Sequence, residues 1–202
     1  ARACASDAGG GSGCDVDPAQ RANLTLEGGS QVNLDRARWH TVEATLGTGF
    51  SLVPADGTVA NSTITDSSVT AIPASLSWTG NEFSGTTWSA TIGVPRLVGN
   101  SFRGAEFPVH VGSPDDVSGI SDNRAEGGAK ERVFSYHGAT VTGRWTPEGA
   151  GSGVIHLVNG GEVSDGGHAD LGPGVVMKVT GWTVKDGGTL SMTGSDAEQP
   201  LI

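Results

Sequence analysis

Hydrophobic and polar residues alternate over short segments along most of the chain, and Gly, Pro, Asp and Ser separate these segments. In one of them Trp88, Ala90 and Ile92 fall on the same side. Because successive side chains of a β-strand point to opposite faces, this alternation predicts half-buried strands. Such segments recur about every 8–12 residues, a spacing that is typical of a β-sandwich or barrel.

Two pairs of segments are predicted to form antiparallel hairpins. Residues 74–78 would pair with 86–92, and residues 175–185 with 189–193. The second connection is Asp186-Gly187-Gly188, which tolerates the positive φ of a tight turn. The segment 35–46 fits either a helix or a strand, and its β-branched residues favour the strand. No repeat of fixed period is evident.

The expected fold is therefore all-β, a sandwich of the Ig-like or jelly-roll-like kind. Residues 1–19 are expected to form an ordered N-terminal arm, and residues 20–202 a single sandwich domain. The polar interval 112–130 is where a second domain would begin if the chain held two. A chain of 202 residues is long enough to bury a substantial core.

The only two cysteines, Cys4 and Cys14, bracket a glycine-rich stretch. A disulfide between them would close a loop of about ten residues and contribute roughly 3 kcal/mol. Such a bond persists in an oxidising compartment. The chain also begins at Ala1, as expected after removal of a signal peptide. These features predict a secreted or cell-surface protein.

The charge of the chain restricts its partners. It carries 22 Asp and Glu against 12 Lys and Arg, a net charge of −10. A negative chain repels phosphate backbones and anionic lipids, so neither nucleic acid nor a membrane surface is an expected partner. No apolar run approaches the roughly 20 residues of a membrane helix, so membrane insertion is not expected either.

A calcium site is the strongest metal hypothesis, because hard cations bind oxygen ligands from flexible loops. The candidate ligands lie in the polar interval and are Asp115, Asp116, Asp122, Asn123 and Glu126. Their spacing does not match an EF-hand. A solvated loop without metal is the alternative, and no other cofactor is expected.

The five histidines give a weaker signal: His40, His110, His137, His156 and His168. No two of them have the short spacing that places ligands together on one element. His168 lies between Asp165 and Asp170 and could bind a cation with them, but a solvated turn is the simpler interpretation.

Tryptophans are the candidate contact residues. The chain has five, and Trp145 and Trp182 are the two that we assign to a ligand or contact surface. Exposed indole rings can stack on sugars, whereas core packing is the default for a Trp in a strand.

No motif in the sequence indicates catalysis, and no Gly-x-Ser-x-Gly is present. We therefore expect a non-enzymatic, structural or adhesive protein that associates with copies of itself in an extracellular filament, pilus-like fibre or surface coat. A module that binds a carbohydrate, another small ligand or a host surface is the alternative. A secreted hydrolase whose carboxylates meet only in the fold is a third reading.

Overall fold

The chain is built almost entirely from short β-strands. The computed structural model describes residues 22–27, 31–40, 42–48, 56–71, 76–90, 96–112 and 116–194. It contains 59% strand and 3% helix. The all-β prediction is therefore confirmed. The described part of the segment 35–46 is mostly strand, as favoured, with a corner at residues 36–37. The proposed arm and disulfide, residues 1–19 with Cys4 and Cys14, lie outside the described residues.

The strands of the first five coils are β1 (Ala22–Glu27), β2 (Gln31–Asp35), β3 (Arg38–His40), β4 (Val42–Thr48), β5 (Asp56–Ala60), β6 (Thr63–Thr65), β7 (Ser68–Ala71), β8 (Leu76–Thr79), β9 (Glu82–Ser84), β10 (Thr87–Ala90), β11 (Arg96–Val98), β12 (Ser101–Arg103), β13 (Val109–Val111), β14 (Ile120–Ser121), β15 (Arg124–Glu126) and β16 (Val133–Val141). A short 3-10 helix, Ala129–Arg132, precedes β16. The remaining strands are β17 (Arg144–Trp145), β18 (Ile155–Val163), β19 (His168–Leu171), β20 (Val176–Val179), β21 (Trp182–Val184) and β22 (Thr189–Met192).

These strands form four parallel sheets. Sheet A has the order β1-β4-β7-β10-β13-β16-β18-β20, with β21 also paired to β18. Sheet B has the order β14-β11-β8-β5-β2, sheet C the order β15-β12-β9-β6-β3, and sheet D the order β17-β19-β22. Every strand pair in the described residues is parallel.

The path through these sheets is a β-solenoid of about six turns. Each of five successive coils visits sheet B, then sheet C, then sheet A, so that every strand pairs with its counterparts in the coils before and after it. The predicted sandwich is wrong. A sandwich is made by chain reversals that pair neighbouring segments antiparallel, whereas here no two consecutive described strands pair with each other and every pairing is parallel.

Rows of equivalent side chains fill the interior. Sheet B contributes Leu34, Val59, Trp78, Leu97 and Ile120, and sheet C contributes Trp39, Ile64, Phe83, Phe102 and Ala125. The rings of Phe83 and Phe102 stack with centroids 4.7 Å apart and planes within 4° of parallel. Because the strands of a sheet lie about 4.8 Å apart, identical ring orientations in successive coils bring the rings into direct contact.

The corners between sheets B and C need a left-handed backbone. One residue at each of these corners has positive φ: Arg36, Asn61, Gly80, Gly99 and Asp122. Gly adopts this conformation without strain, and Asn or Asp tolerates it better than other residues do. A corner of this kind redirects the strand onto a new sheet, whereas a hairpin turn would reverse it.

Both predicted hairpins are wrong for this reason. β8 pairs with β5 and β11, and the stretch between the two segments predicted to pair, 74–78 and 86–92, contains β9, a strand of sheet C. β21 lies in sheet A and β22 in sheet D, on the two sides of Asp186-Gly187-Gly188. The described part of the interval 112–130 contains β14, β15 and part of the 3-10 helix, and these two strands extend sheets B and C.

Candidate functional site

A column of buried polar side chains begins at the B–C corners, where four of its five members immediately follow a residue with positive φ. We call it the corner column, and its members are Ser62, Asn81, Asn100, Asn123 and Glu148, each no more than 5% exposed. Buried polar groups need hydrogen-bond partners, and here the partners come from the adjacent coils.

The three asparagines of the corner column repeat one set of contacts. Asn81 donates its backbone N–H and its Nδ2 to Oδ1 of Asn100, each at 2.9 Å. Asn100 donates the same two groups to Oδ1 of Asn123, each at 3.0 Å. Nδ2 of each asparagine also donates to a carbonyl of the preceding coil, Val59 O for Asn81 and Trp78 O for Asn100. The column therefore satisfies the corner backbone and ties each coil to the next.

Glu148 ends the corner column among the described residues. Its Oε1 accepts hydrogen bonds from the backbone nitrogen of Asn123 at 3.2 Å and from Nδ2 of the same residue at 2.6 Å. Its Oε2 lies 3.4 Å from Nε2 of His156. A carboxylate accepts hydrogen bonds but does not donate them. One oxygen of Glu148 therefore satisfies the two donors of Asn123, and the other faces the imidazole of His156.

His156 joins the column to a buried aromatic cluster. It lies in the row of sheet A between Phe134 and Met177 and is fully buried. Its Nε2 is 3.4 Å from the carbonyl oxygen of Glu148, and its Nδ1 is 3.2 Å from the hydroxyl of Tyr136. With two acceptors facing Nε2, this nitrogen carries the proton and Nδ1 accepts from the Tyr136 hydroxyl.

The electrostatic state of this cluster follows from its burial. Desolvation lowers the pKa of His156, and it outweighs the opposing effects of the Glu148 charge and carbonyl. Desolvation, together with the Glu148 charge, raises the pKa of Tyr136 well above its usual value. Both groups are therefore neutral near pH 7. Since Tyr136, Glu148 and His156 are at most 5% exposed, we assign the cluster to stability rather than to contact with a substrate.

The described calcium candidates do not converge. The carboxylate of Asp116 accepts hydrogen bonds from the backbone and hydroxyl groups of Ser118 and Thr142. Burial raises the pKa of Asp116, but these hydrogen bonds outweigh it and the net shift is downward. Asn123 belongs to the corner column, whereas Asp122 and Glu126 are exposed. Asp115 lies outside the described residues, among which no group of three or more His, Cys, Asp or Glu could hold a metal ion.

The other four histidines lie at the surface. His40 contacts Thr65 at 2.8 Å, and His168 is exposed next to Arg144 in sheet D. Asp170, its expected neighbour, pairs instead with Arg144 at 2.7 Å. His110 and His137 lie on adjacent strands of sheet A with ring centroids 5.1 Å apart. Burial, and secondarily the charge of His137, lowers the pKa of His110.

The two tryptophans assigned to a contact surface lie in the interior or at its edge. Trp145 is fully buried, with its ring 5.9 Å from that of Tyr136 and 6.0 Å from that of Trp182. Trp182 is partly buried against the core. Of the remaining tryptophans, Trp78 and Trp88 are fully buried and Trp39 is 8% exposed.

Sequence reasoning missed the corner column and the His156 cluster. Asparagine after glycine in a polar segment suggests a solvated turn, and a lone His between Ile155 and Leu157 suggests an outward position. The signal that was available is spacing: Ser62, Asn81 and Asn100 are each 19 residues apart.

No protein-family model matches this sequence, and neither a curated protein nor a solved structure matches the chain. The described residues contain no helix with the length and apolarity needed to span a bilayer. The class is therefore defined by the fold alone, a parallel β-solenoid with an internal amide column.

Proposed function

We propose that this chain is a structural or adhesive module of the cell exterior, a stiff β-solenoid segment that associates with copies of itself. The burial of the tryptophans is the observation that favours this function over that of a sugar-binding module. All five lie in the described residues, where four are buried and Trp182 is half-buried. A module that stacks sugars on indole rings would need at least one open face.

Stiffness is supported by the interior. The corner column and the rows of buried side chains run through consecutive coils, so neighbouring coils are joined by hydrogen bonds and apolar contacts, and in the third and fourth coils also by the stacked rings of Phe83 and Phe102. Solenoids of this type gain their stability from neighbour contacts, and their faces are extended and regular. A regular, rigid face suits repeated contacts, since little side-chain entropy remains to be lost on association.

The outer face of sheet B is the surface we propose for self-association. One outward row of this face runs from Asp35 through Ala60, Thr79, Val98 and Ser121, so four of its five side chains are small and uncharged, and the row beside it carries Arg96. Sheet C instead carries Arg38, Glu82, Arg103 and Arg124 on its outer side. Copies with a net charge of −10 repel one another, and desolvating charged groups is costly, so contact is least opposed where charged side chains are fewest.

Sedimentation velocity with negative-stain electron microscopy tests this proposal. We expect oligomers or fibres whose population grows with protein concentration and with salt, because salt screens the repulsion. Thr79→Arg should shift the population toward monomer, while Thr63→Arg, on the outer side of sheet C, should leave it unchanged. A monomer of 20.4 kDa at every concentration and salt would overturn the proposal and make glycan screening the next step.

A further inference from the structure

The outer face of sheet A places two imidazoles side by side. His110 lies on β13 and His137 on β16, and the two strands pair in parallel. His110 is in register with Ser135, two residues before His137, so the two rings are diagonal neighbours on the same side of the sheet. Nε2 of His110 leans over Gly112, lying 3.7 Å from where a Cβ of that residue would be.

The separation of the rings fits two ligands of one metal ion. Zinc lies about 2.0–2.1 Å from an imidazole nitrogen, which puts the ring centroid about 3.2 Å from the metal. Two rings at a tetrahedral angle would then have centroids roughly 5.2 Å apart, and two rings at a right angle roughly 4.5 Å. The observed centroid distance is 5.1 Å. The observed separation therefore matches the tetrahedral arrangement, provided that one nitrogen of each ring turns toward a common point.

The surroundings of the pair are neutral. In register beside His110 lie Ser89 on one side and Ser135 on the other, and beside His137 lies Asn159. None of these residues would repel a cation. Among these side chains the imidazole nitrogens are the strongest ligands for a late transition metal.

We propose that His110 and His137 form a two-histidine site for a divalent late transition metal, with Zn²⁺ as its tetrahedral occupant. Water would fill the two remaining positions, so binding is weaker than at structural sites with four protein ligands. The sequence concealed the pair because its members are 27 residues apart and meet only through the pairing of β13 with β16. This inference is independent of the proposed self-association.

Calorimetric titration of the full chain with ZnCl₂ tests the site. The background should carry Cys4→Ser and Cys14→Ser, so that thiolates contribute nothing. We expect one weak site per chain, weakened by about tenfold or more in both His110→Gln and His137→Gln. His168→Gln, an exposed histidine on sheet D, is the matched control and should bind as the background does.

A second readout separates ligation from folding. Co²⁺ in place of Zn²⁺ should give the visible absorption of a tetrahedral site, and both histidine variants should lose it while retaining the circular dichroism of the background. Binding that survives in both variants would overturn the proposal. Equal loss in His168→Gln, or absence of any saturable heat in the background, would overturn it as well.

Discussion

Oδ1 of Asn100 lies 2.9 Å from both the backbone nitrogen and the side-chain nitrogen of Asn81. One oxygen therefore satisfies two buried donors of the preceding coil. Asn100 in turn donates to Asn123 through the same pair of groups, so the coils of this β-solenoid are joined by side chains as well as by strand pairing.

Removal of Asn100 is predicted to destabilise the fold strongly. In Asn100→Ala the backbone N–H of Asn81 loses its acceptor, and Nδ2 of Asn81 keeps only its hydrogen bond to the carbonyl of Val59. An unsatisfied buried group costs about 1–3 kcal/mol, so we expect the free energy of unfolding to fall by about 2–5 kcal/mol. Urea unfolding measures this change. Asn33→Ala, at an exposed position of sheet B, is the control. Equal stability of the two variants would show that the column contributes nothing.

Truncation of Phe102 should open a cavity in the aromatic row of sheet C. The ring is fully buried and stacks on Phe83. We expect Phe102→Ala to lower the free energy of unfolding by about 3–5 kcal/mol. Phe107 is 37% exposed, so Phe107→Ala should change stability by much less in the same urea experiment. A comparable loss in both variants would contradict the assigned packing.

Stability should fall in mild acid because of His156. Its pKa is lowered in the folded protein from an ordinary value of 6.5. As the pH falls below that value, the unfolded chain takes up a proton that the folded chain does not. The free energy of unfolding therefore decreases toward the lowered pKa, by at most about 1.4 kcal/mol per pH unit.

The His156→Gln variant isolates this contribution. It should have a lower free energy of unfolding near pH 7 and a shallower decrease between about pH 7.5 and pH 5.5, measured by urea unfolding at several pH values. Titrating groups that do not contact His156 are common to the two proteins and cancel in the difference. Parallel pH profiles would mean that His156 titrates alike in both states.

Substitutions of Gly99 should destabilise the fold to different extents, depending on how well the new residue tolerates a positive φ. Its φ is +68°, and the nearest atom to an added Cβ is 4.0 Å away, so the cost of substitution is conformational strain alone. We expect Gly99→Ala to cost about 1–2 kcal/mol and Gly99→Asn clearly less, because Asn61 occupies the equivalent corner with a φ of 49°. Thermal or urea unfolding of the two variants decides the order, and an Ala variant as stable as the Asn variant would refute it.

The strands themselves could be predicted from the sequence, but their arrangement could not. Alternation at Trp88 and Ala90 reports which side of a strand is buried, and this is the same in a sandwich and in a solenoid. The distinguishing feature is the corner, where Gly80-Asn81 continues the chain into another parallel strand. Gly and Asn also dominate hairpin turns, so composition at the corner does not separate the two outcomes.

The repeat was hidden by unequal coil lengths. Asn81 and Asn100 are 19 residues apart, whereas Asn100 and Asn123 are 23 apart and Asn123 and Glu148 are 25 apart. The extra residues lie at both the C–A and the A–B connections, and at the C–A connection of the fifth coil they include the 3-10 helix. Two equal intervals are too few to establish a period. The buried His156 was missed because its neighbours Ile155 and Leu157 are the more apolar residues of β18.

Because the asparagines of the corner column all donate in the same direction, the solenoid could be lengthened by inserting further coils. Each asparagine presents donors toward the following coil and an acceptor toward the preceding one, so an additional 19-residue unit placed between Asn81 and Asn100 would meet matching groups on both sides. Such an insertion would lengthen the molecule by about 4.8 Å. Beyond Glu148 the same unit would meet a carboxylate that cannot donate. Duplication within the column, rather than after it, is thus the route by which a gene for this chain could grow.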